Sequence, residues 1–150
     1  MISWDTSCVL KLYTAESDSL AWQNQALVTD DDFVASALLE TEMAYALAQK
    51  ELRGEVKPGG AQALLRLFGR DVQAGRFALY PVGADIMLAA VDIAAKCYRA
   101  ERPIPLRTLD GLHLATAKVL KCRALATVDQ RMQAAAALLH LPLFRSSPRI

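Results

Sequence analysis

Four carboxylates in this chain stand where an ordinary solvated acid is not expected: Asp5, Glu42, Asp110 and Asp129. Asp5 closes the apolar opening Ile2-Ser3-Trp4, and Asp129 closes the apolar run Ala124–Val128. Each therefore joins a strand end to a helix start, and in an open parallel sheet the carboxyl ends of strands line the ligand crevice. The same position suits a plain helix cap, and for Asp5 the sequence leaves both readings open. Asp110 falls in the first turn of a helix opening at Thr108. Helix N–H groups favour an ionised acid there, as a cap or as a metal ligand. At about 100° per residue, Glu42 lies near Leu38, Tyr45 and the Leu39/Ala46 flank, on the apolar side of its helix. Such an acid is costly unless it is paired, protonated or bound to a cation, and an arginine elsewhere in the chain is the alternative partner. Glu40 and Glu51 project roughly opposite, with Ala44, toward water. If the four acids meet at one sheet edge, they cannot all stay ionised without a cation. Oxygen-only donors select a hard ion, Mg²⁺ or Mn²⁺, over zinc.

The elements that must carry these acids are readable in outline. Met1–Trp4 reads as a buried strand. Asp5, Thr6 and Ser7 are good N-cap residues for a helix over Cys8–Tyr13. A helix over Ser19–Val28 leads to the acidic turn Asp30-Asp31-Asp32 and a strand at Phe33-Val34-Ala35. Ser36 caps a helix running to about Arg53 and closed by Gly54. Pro58 opens another through about Gly75, followed by a strand over Phe77–Val82. Ala84–Arg99 is helical, and the Pro103-Ile104-Pro105 loop breaks it. A helix from Thr108 to about Lys121 precedes the strand Ala124–Val128. Asp129 then caps a last long helix, and Leu141–Phe144 forms a final strand. Short apolar strands alternating with helices predict an α/β sandwich with a mostly parallel central sheet.

Composition sets the outer limits. A chain of 150 residues, 53% of them hydrophobic, buries a core of its own and fits one domain spanning 1–150. Seventeen Lys and Arg against sixteen Asp and Glu leave a formal charge of +1, which argues neither for nor against nucleic acid. Cys8, Cys97 and Cys122 lack metal-type spacing and read as reduced thiols. The start carries Asp5 inside its first apolar stretch and no basic residues, unlike a signal peptide. No uncharged run approaches the ~18 apolar residues of a membrane helix. The expectation is a soluble, cytoplasmic protein.

The residues around the four acids resemble the motifs of one family. Ile2-Ser3-Trp4-Asp5-Thr6-Ser7-Cys8-Val9-Leu10-Lys11-Leu12-Tyr13 looks like the first motif of PIN-domain proteins. Ser36-Ala37-Leu38-Leu39-Glu40-Thr41-Glu42-Met43-Ala44-Tyr45-Ala46-Leu47 resembles the second, with the family's acid on Glu42 and not on Glu40. Leu109-Asp110-Gly111-Leu112-His113-Leu114-Ala115-Thr116-Ala117 resembles the third and is the most specific match. Ala126-Thr127-Val128-Asp129-Gln130-Arg131-Met132 resembles the fourth. The motifs run in order from residue 1 to about 142. Gly111, where Ala is more usual, and Met43, where Leu is more common, depart from the pattern without removing an acid.

The resemblance implies a PIN-like three-layer α/β/α sandwich and an Mg²⁺- or Mn²⁺-dependent endoribonuclease, similar to the VapC toxin of a VapBC toxin–antitoxin pair. On that basis Asp5 and Asp110 are expected to coordinate metal directly. Glu42 and Asp129 would ligate through water or orient the attacking water. Ser7 and Thr127 would hold the acids by hydrogen bonds, and His113 would pack or orient without binding metal. Lys11 and Arg107 are the first candidates for contacts to the RNA backbone. The implied partners are an RNA substrate, a cognate antitoxin and a second copy of the chain. Leu64, Leu65, Leu67 and Phe68, in the Pro58–Arg99 stretch, are candidates for that homodimer contact. Two other classes stay open: a catalytically silent PIN-fold interaction module, and a phosphatase using Asp5 as nucleophile. The phosphatase is disfavoured because Ser7 stands where its motif needs a second Asp.

Overall fold

The computed structural model describes residues 1–145. Five short strands carry the sheet: β1 (Ile2–Trp4), β2 (Phe33–Ser36), β3 (Ala78–Tyr80), β4 (Ala124–Ala126) and β5 (Leu143–Phe144). Between them run α1 (Thr6–Tyr13), α2 (Ser19–Val28), α3 (Leu38–Leu52), α4 (Gly60–Gln73), α5 (Ala84–Tyr98), α6 (Thr108–Val119) and α7 (Gln130–Leu138). The strand order is β3-β2-β1-β4-β5, and every pairing is parallel.

Two-residue alternation along the strands divides the core. Ile2, Trp4, Phe33, Ala35, Ala124 and Ala126 pack on one side with α1 to α4. Leu125 packs on the other with α5, α6 and α7, and Val34 meets Ala117 of α6. Trp4 centres the first layer, its ring 4.7 Å from Phe33 and 5.7 Å from Phe144. In the second layer α6 lies against β1 and β2 and is buried around most of its girth, from Asp110 to Ala117.

The chain path follows from handedness. From β1 to β3 it moves one way across the sheet with helices on one face. It then returns over the opposite face through α5 and α6 to place β4 beside β1. Right-handed crossovers require that change of face when the direction reverses. The reversal point, between the ends of β1 and β4, is where Asp5 and Asp129 lie.

Boundaries differ from expectation where side chains claim the backbone. α1 starts at Thr6 instead of Cys8. β4 stops at Ala126, because the Val128 N–H donates to Ser7 Oγ (3.2 Å). Ser36 belongs to β2, although its hydroxyl accepts from the Leu38 N–H (3.2 Å). α4 begins at Gly60 instead of Pro58, and Glu51 is not merely solvated. Its carboxylate accepts from the N–H groups of Gly59 (3.1 Å) and Ala61 (2.8 Å), satisfying the first turn of α4. Of the apolar residues expected at a dimer contact, Phe68 is buried and Leu64 and Leu65 pack against the core. Leu67 alone of the four is exposed. The amphipathic face of α4 packs against α3 and the chain's own core, and α5 instead leaves Met87, Leu88, Val91 and Tyr98 in water.

Candidate active site

Asp5 is fixed from three directions. Its backbone N–H donates to the Ala126 carbonyl (3.0 Å), continuing the β1–β4 ladder. It occupies the N-cap position of α1, yet its carboxylate makes no capping bond. Ser7 Oγ (2.6 Å) and Thr127 Oγ1 (2.9 Å) both donate to Oδ2 instead. The Asp5 side chain therefore does not cap the N–H groups of α1, and two hydroxyls hold its carboxylate instead. Burial is the largest influence on its acidity and pushes the pKa above the usual carboxylate range. The charge of His113 and the two hydroxyl bonds oppose the rise, and Glu42 adds to it.

Thr127 also receives the Asp129 N–H (3.1 Å), so one hydroxyl ties the two strand-end acids together. Asp129 is a true cap. Its Oδ1 accepts from the N–H groups of Arg131 (2.9 Å) and Met132 (3.1 Å), which leaves Oδ2 toward the cleft.

Asp110 is buried in the first turn of α6 and is gripped by Arg107. Arg107 Nε reaches Oδ2 (2.7 Å) and Nη2 reaches Oδ1 (3.2 Å), a two-point fork. The same Nη2 lies 3.6 Å from Asp129 Oδ2. Arg107 was expected among the RNA contacts; in the structure it sits among the acids.

Glu42 enters from α3 at the margin of the buried stripe Leu39, Met43 and Leu47. Tyr45, placed beside it by the helix count, is 69% exposed, because the stripe is narrower than expected. Glu40 is exposed and lies away from the site. Glu42 Oε2 accepts from Thr6 Oγ1 (2.5 Å) and lies 2.5 Å from His113 Nε2. Its partner is thus a histidine and a threonine, not an arginine. Burial would raise the Glu42 pKa, but the bond and charge of His113, the Thr6 bond and the charge of Arg107 hold it below the usual range. His113 shifts upward for the reciprocal reason: burial favours its neutral form, and Glu42 overcomes that.

The four acids, Arg107 and His113 form one electrostatic cluster. Arg107 feels Asp110, Asp129 and Asp5, and His113 feels Glu42, Asp5 and Asp110. The donors are oxygens, which suits a hard divalent ion. Among the described residues, however, no three Asp, Glu, His or Cys side chains are gathered into a metal-holding group. Lys11 is not at the site. It is buried and bonded to Glu16 (2.8 Å) and Asp18 (2.6 Å), so no free ammonium is offered to RNA. Thr6 and the role of Arg107 as an internal counter-ion were missed. The spacing held the clue for Arg107, since residues three apart on a helix share a face.

The profile of the PIN domain matches residues 2–138. The chain belongs to the PIN-domain family. Ribonuclease VapC35 of Mycobacterium tuberculosis is 33% identical to it over 149 residues, with 94% of this chain and 93% of VapC35 covered. The fold also matches solved structures. M. tuberculosis VapC20, a sarcin-ricin loop cleaving toxin, superposes with a TM-score of 0.66 at 14% identity, covering 90% of this chain and 95% of that one. A chain of VapBC2 from Rickettsia felis, bound to a DNA fragment from the promoter, gives 0.68 at 15% identity, covering 96% and 98%. Among the described residues of this PIN domain, no helix is long and apolar enough to cross a membrane.

Proposed function

We propose that this PIN domain is a metal-dependent endoribonuclease and the toxin of a toxin–antitoxin pair. One observation carries the reading: a buried Asp5 carboxylate, locked at the sheet's reversal point, shares a charge cluster with Glu42, Asp110 and Asp129. Similarity to ribonuclease VapC35 supports the substrate class.

PIN-domain nucleases typically use divalent metals. Here Asp5 and Asp110 would hold Mg²⁺ or Mn²⁺, with Glu42 and Asp129 acting through water. When bound, the ion supplies an activated water and a charge clamp on the phosphate oxygens. The protein's own share is orientation. Ser7 and Thr127 fix the Asp5 rotamer, and Thr6 and His113 both bond Glu42 Oε2. Oε1 is then the oxygen left to accept a proton from water. Arg107 is the cation nearest the cleft for an RNA phosphate.

Similar folds occur in a toxin–antitoxin complex from Klebsiella pneumoniae and in VapBC2 from Rickettsia felis, which supports a cognate antitoxin as partner. The exposed apolar side chains of α5 support a homodimer contact there, in place of the α4 leucines. Three free, buried cysteines fit the reducing cytoplasm, where the RNA is. The deciding experiment is RNA cleavage with Mn²⁺ against chelator, in the native chain and in Asp5→Asn. Cleavage that needs Mn²⁺ and vanishes in the variant is expected. A folded chain that never cleaves would leave the silent interaction module as the better reading.

A further inference from the structure

We propose that Arg107 is a resident counter-ion that a divalent ion must displace, so that the guanidinium and the metal compete for the same acids. The inference rests on the metal-dependent reading above and adds what sets its affinity. Both oxygens of Asp110 are engaged by the Arg107 fork, and the same guanidinium spans to Asp129 on a different element. A carboxylate oxygen keeps a second lone pair when a guanidinium bonds the first. The fork nevertheless holds a positive charge against the same oxygens that a hard ion such as Mg²⁺ would bind at about 2.0–2.1 Å, so the two cations oppose each other there.

The contact is built to open. The Arg107 side chain is 60% exposed while that of Asp110 is 7% exposed, so the cation can leave without unpacking the acid. Arg107 also borders the groove between α5 and α6, beside Met87, Val91 and Tyr98, which offers its aliphatic stem a second resting place. Asp129 stays satisfied when Arg107 departs, because two N–H groups hold Oδ1 and Arg131 lies 3.7 Å from Oδ2. A released guanidinium is then free for a phosphate, which orders the events: metal first, then RNA.

Competition predicts that apparent metal affinity is reduced by the fraction of molecules with Arg107 open. Calorimetric titration of Mn²⁺ into the native chain, Arg107→Gln and Arg131→Gln tests this. Arg107→Gln should bind Mn²⁺ about tenfold more tightly, while its KM for RNA rises. Arg131→Gln, which removes a charge touching Asp129 alone, should tighten binding much less. In a parallel Mg²⁺ titration by NMR, the Arg107 Nε–H signal should move from a hydrogen-bonded to a solvent-exposed position. Equal tightening in both variants would reduce the effect to plain charge repulsion and overturn the proposal. So would unchanged or weaker binding in Arg107→Gln, or a fixed Nε–H signal at saturating Mg²⁺. If neither the native chain nor Arg107→Gln binds Mn²⁺, the metal-dependent reading falls and this inference falls with it.

Discussion

His113 Nε2 lies 2.5 Å from Glu42 Oε2, and that contact links helices packed on opposite faces of the sheet. α3 approaches from the layer built on Trp4, and α6 from the layer built on Leu125. The pair therefore closes the carboxyl edge of the sheet while fixing one of the two acids that no strand end carries, the other being Asp110. Thr6, next to Asp5, donates to the same oxygen, so the position of Glu42 is coupled to that of Asp5 through adjacent residues.

This contact sets the sign of the first prediction. Considered from charge repulsion alone, Glu42→Gln would relieve the acid cluster and stabilise the metal-free chain. With His113 and Thr6 both bonded to Oε2, the substitution removes a charge-assisted bond from a buried histidine instead. It should cost about 1–2 kcal/mol in urea denaturation, at the low end for charged hydrogen bonds because Glu42 is partly exposed. RNA cleavage should fall by orders of magnitude. Glu40→Gln, on the wet side of the same helix, should change neither by a measurable amount. A Glu42→Gln chain more stable than the native one would mean that repulsion, not the His113 contact, dominates.

Lys11 should prove structural. Its ammonium holds Glu16 and Asp18 where α1 meets the turn into α2, and Lys50 adds a second bond to Glu16. Burial would raise the pKa of Glu16, but the bonds and charges of Lys11 and Lys50 hold it below its ordinary value. Lys11 does the same for Asp18. A lowered carboxylate pKa contributes stability above the unfolded value, and that stability is lost as pH falls through the folded value. Lys11→Met should therefore destabilise the chain by about 1–2 kcal/mol at pH 7, discounted for the exposure of its partners. The gap from the native chain should narrow as pH drops below the ordinary carboxylate range. The KM for RNA should not move, and a large rise in it would restore Lys11 to the substrate surface.

The strand-end acids were legible because a strand, an acid and a helix in succession can be read along the chain. Asp5 and Asp129 lie at the ends of adjacent strands for that reason. Glu42 was legible from its helix face, though Tyr45 was misplaced, since periodicity cannot tell how wide a buried stripe is. What stayed hidden depends on contacts between distant segments. Glu42 and His113 are 71 positions apart, and nothing local to either announces the other. The Glu51 cap on α4 and the burial of Lys11 are of the same kind: each looks like a surface charge until the neighbouring turn is in place.

Gly111 offers a test that leaves the chemistry alone. It lies inside α6, and a Cβ built there would meet only Leu106 Cδ2, at 3.8 Å, an ordinary contact. Glycine in a helix interior costs roughly 0.5–1 kcal/mol relative to alanine through backbone entropy. Gly111→Ala should recover about that much and raise the melting temperature by about 1–4 °C for a chain of this size. Metal affinity and cleavage should be unaltered. A destabilised variant would show that α6 needs closer approach to the Leu106 loop than that spacing implies.

Asp5 carries the last prediction, because burial and metal binding pull its charge in opposite directions. Its pKa is raised mainly by desolvation, so the folded chain disfavours the ionised form. A raised carboxylate pKa means stability that is complete below the unfolded value and lost as pH rises through the folded value. At neutral pH and without metal, the ionised Asp5 is a net cost to folding. Asp5→Asn removes that cost while keeping an oxygen for Ser7 and Thr127 to donate to. The metal-free variant should therefore melt at or above the native chain. With Mn²⁺ the order should reverse. Ligand at about ten times its Kd stabilises a folded protein by roughly 1.4 kcal/mol, and only the native chain should gain it. Thermal scans of both chains with and without Mn²⁺ should cross in this way. Parallel melting curves, each shifted equally by Mn²⁺, would place the ion elsewhere and remove Asp5 from its site.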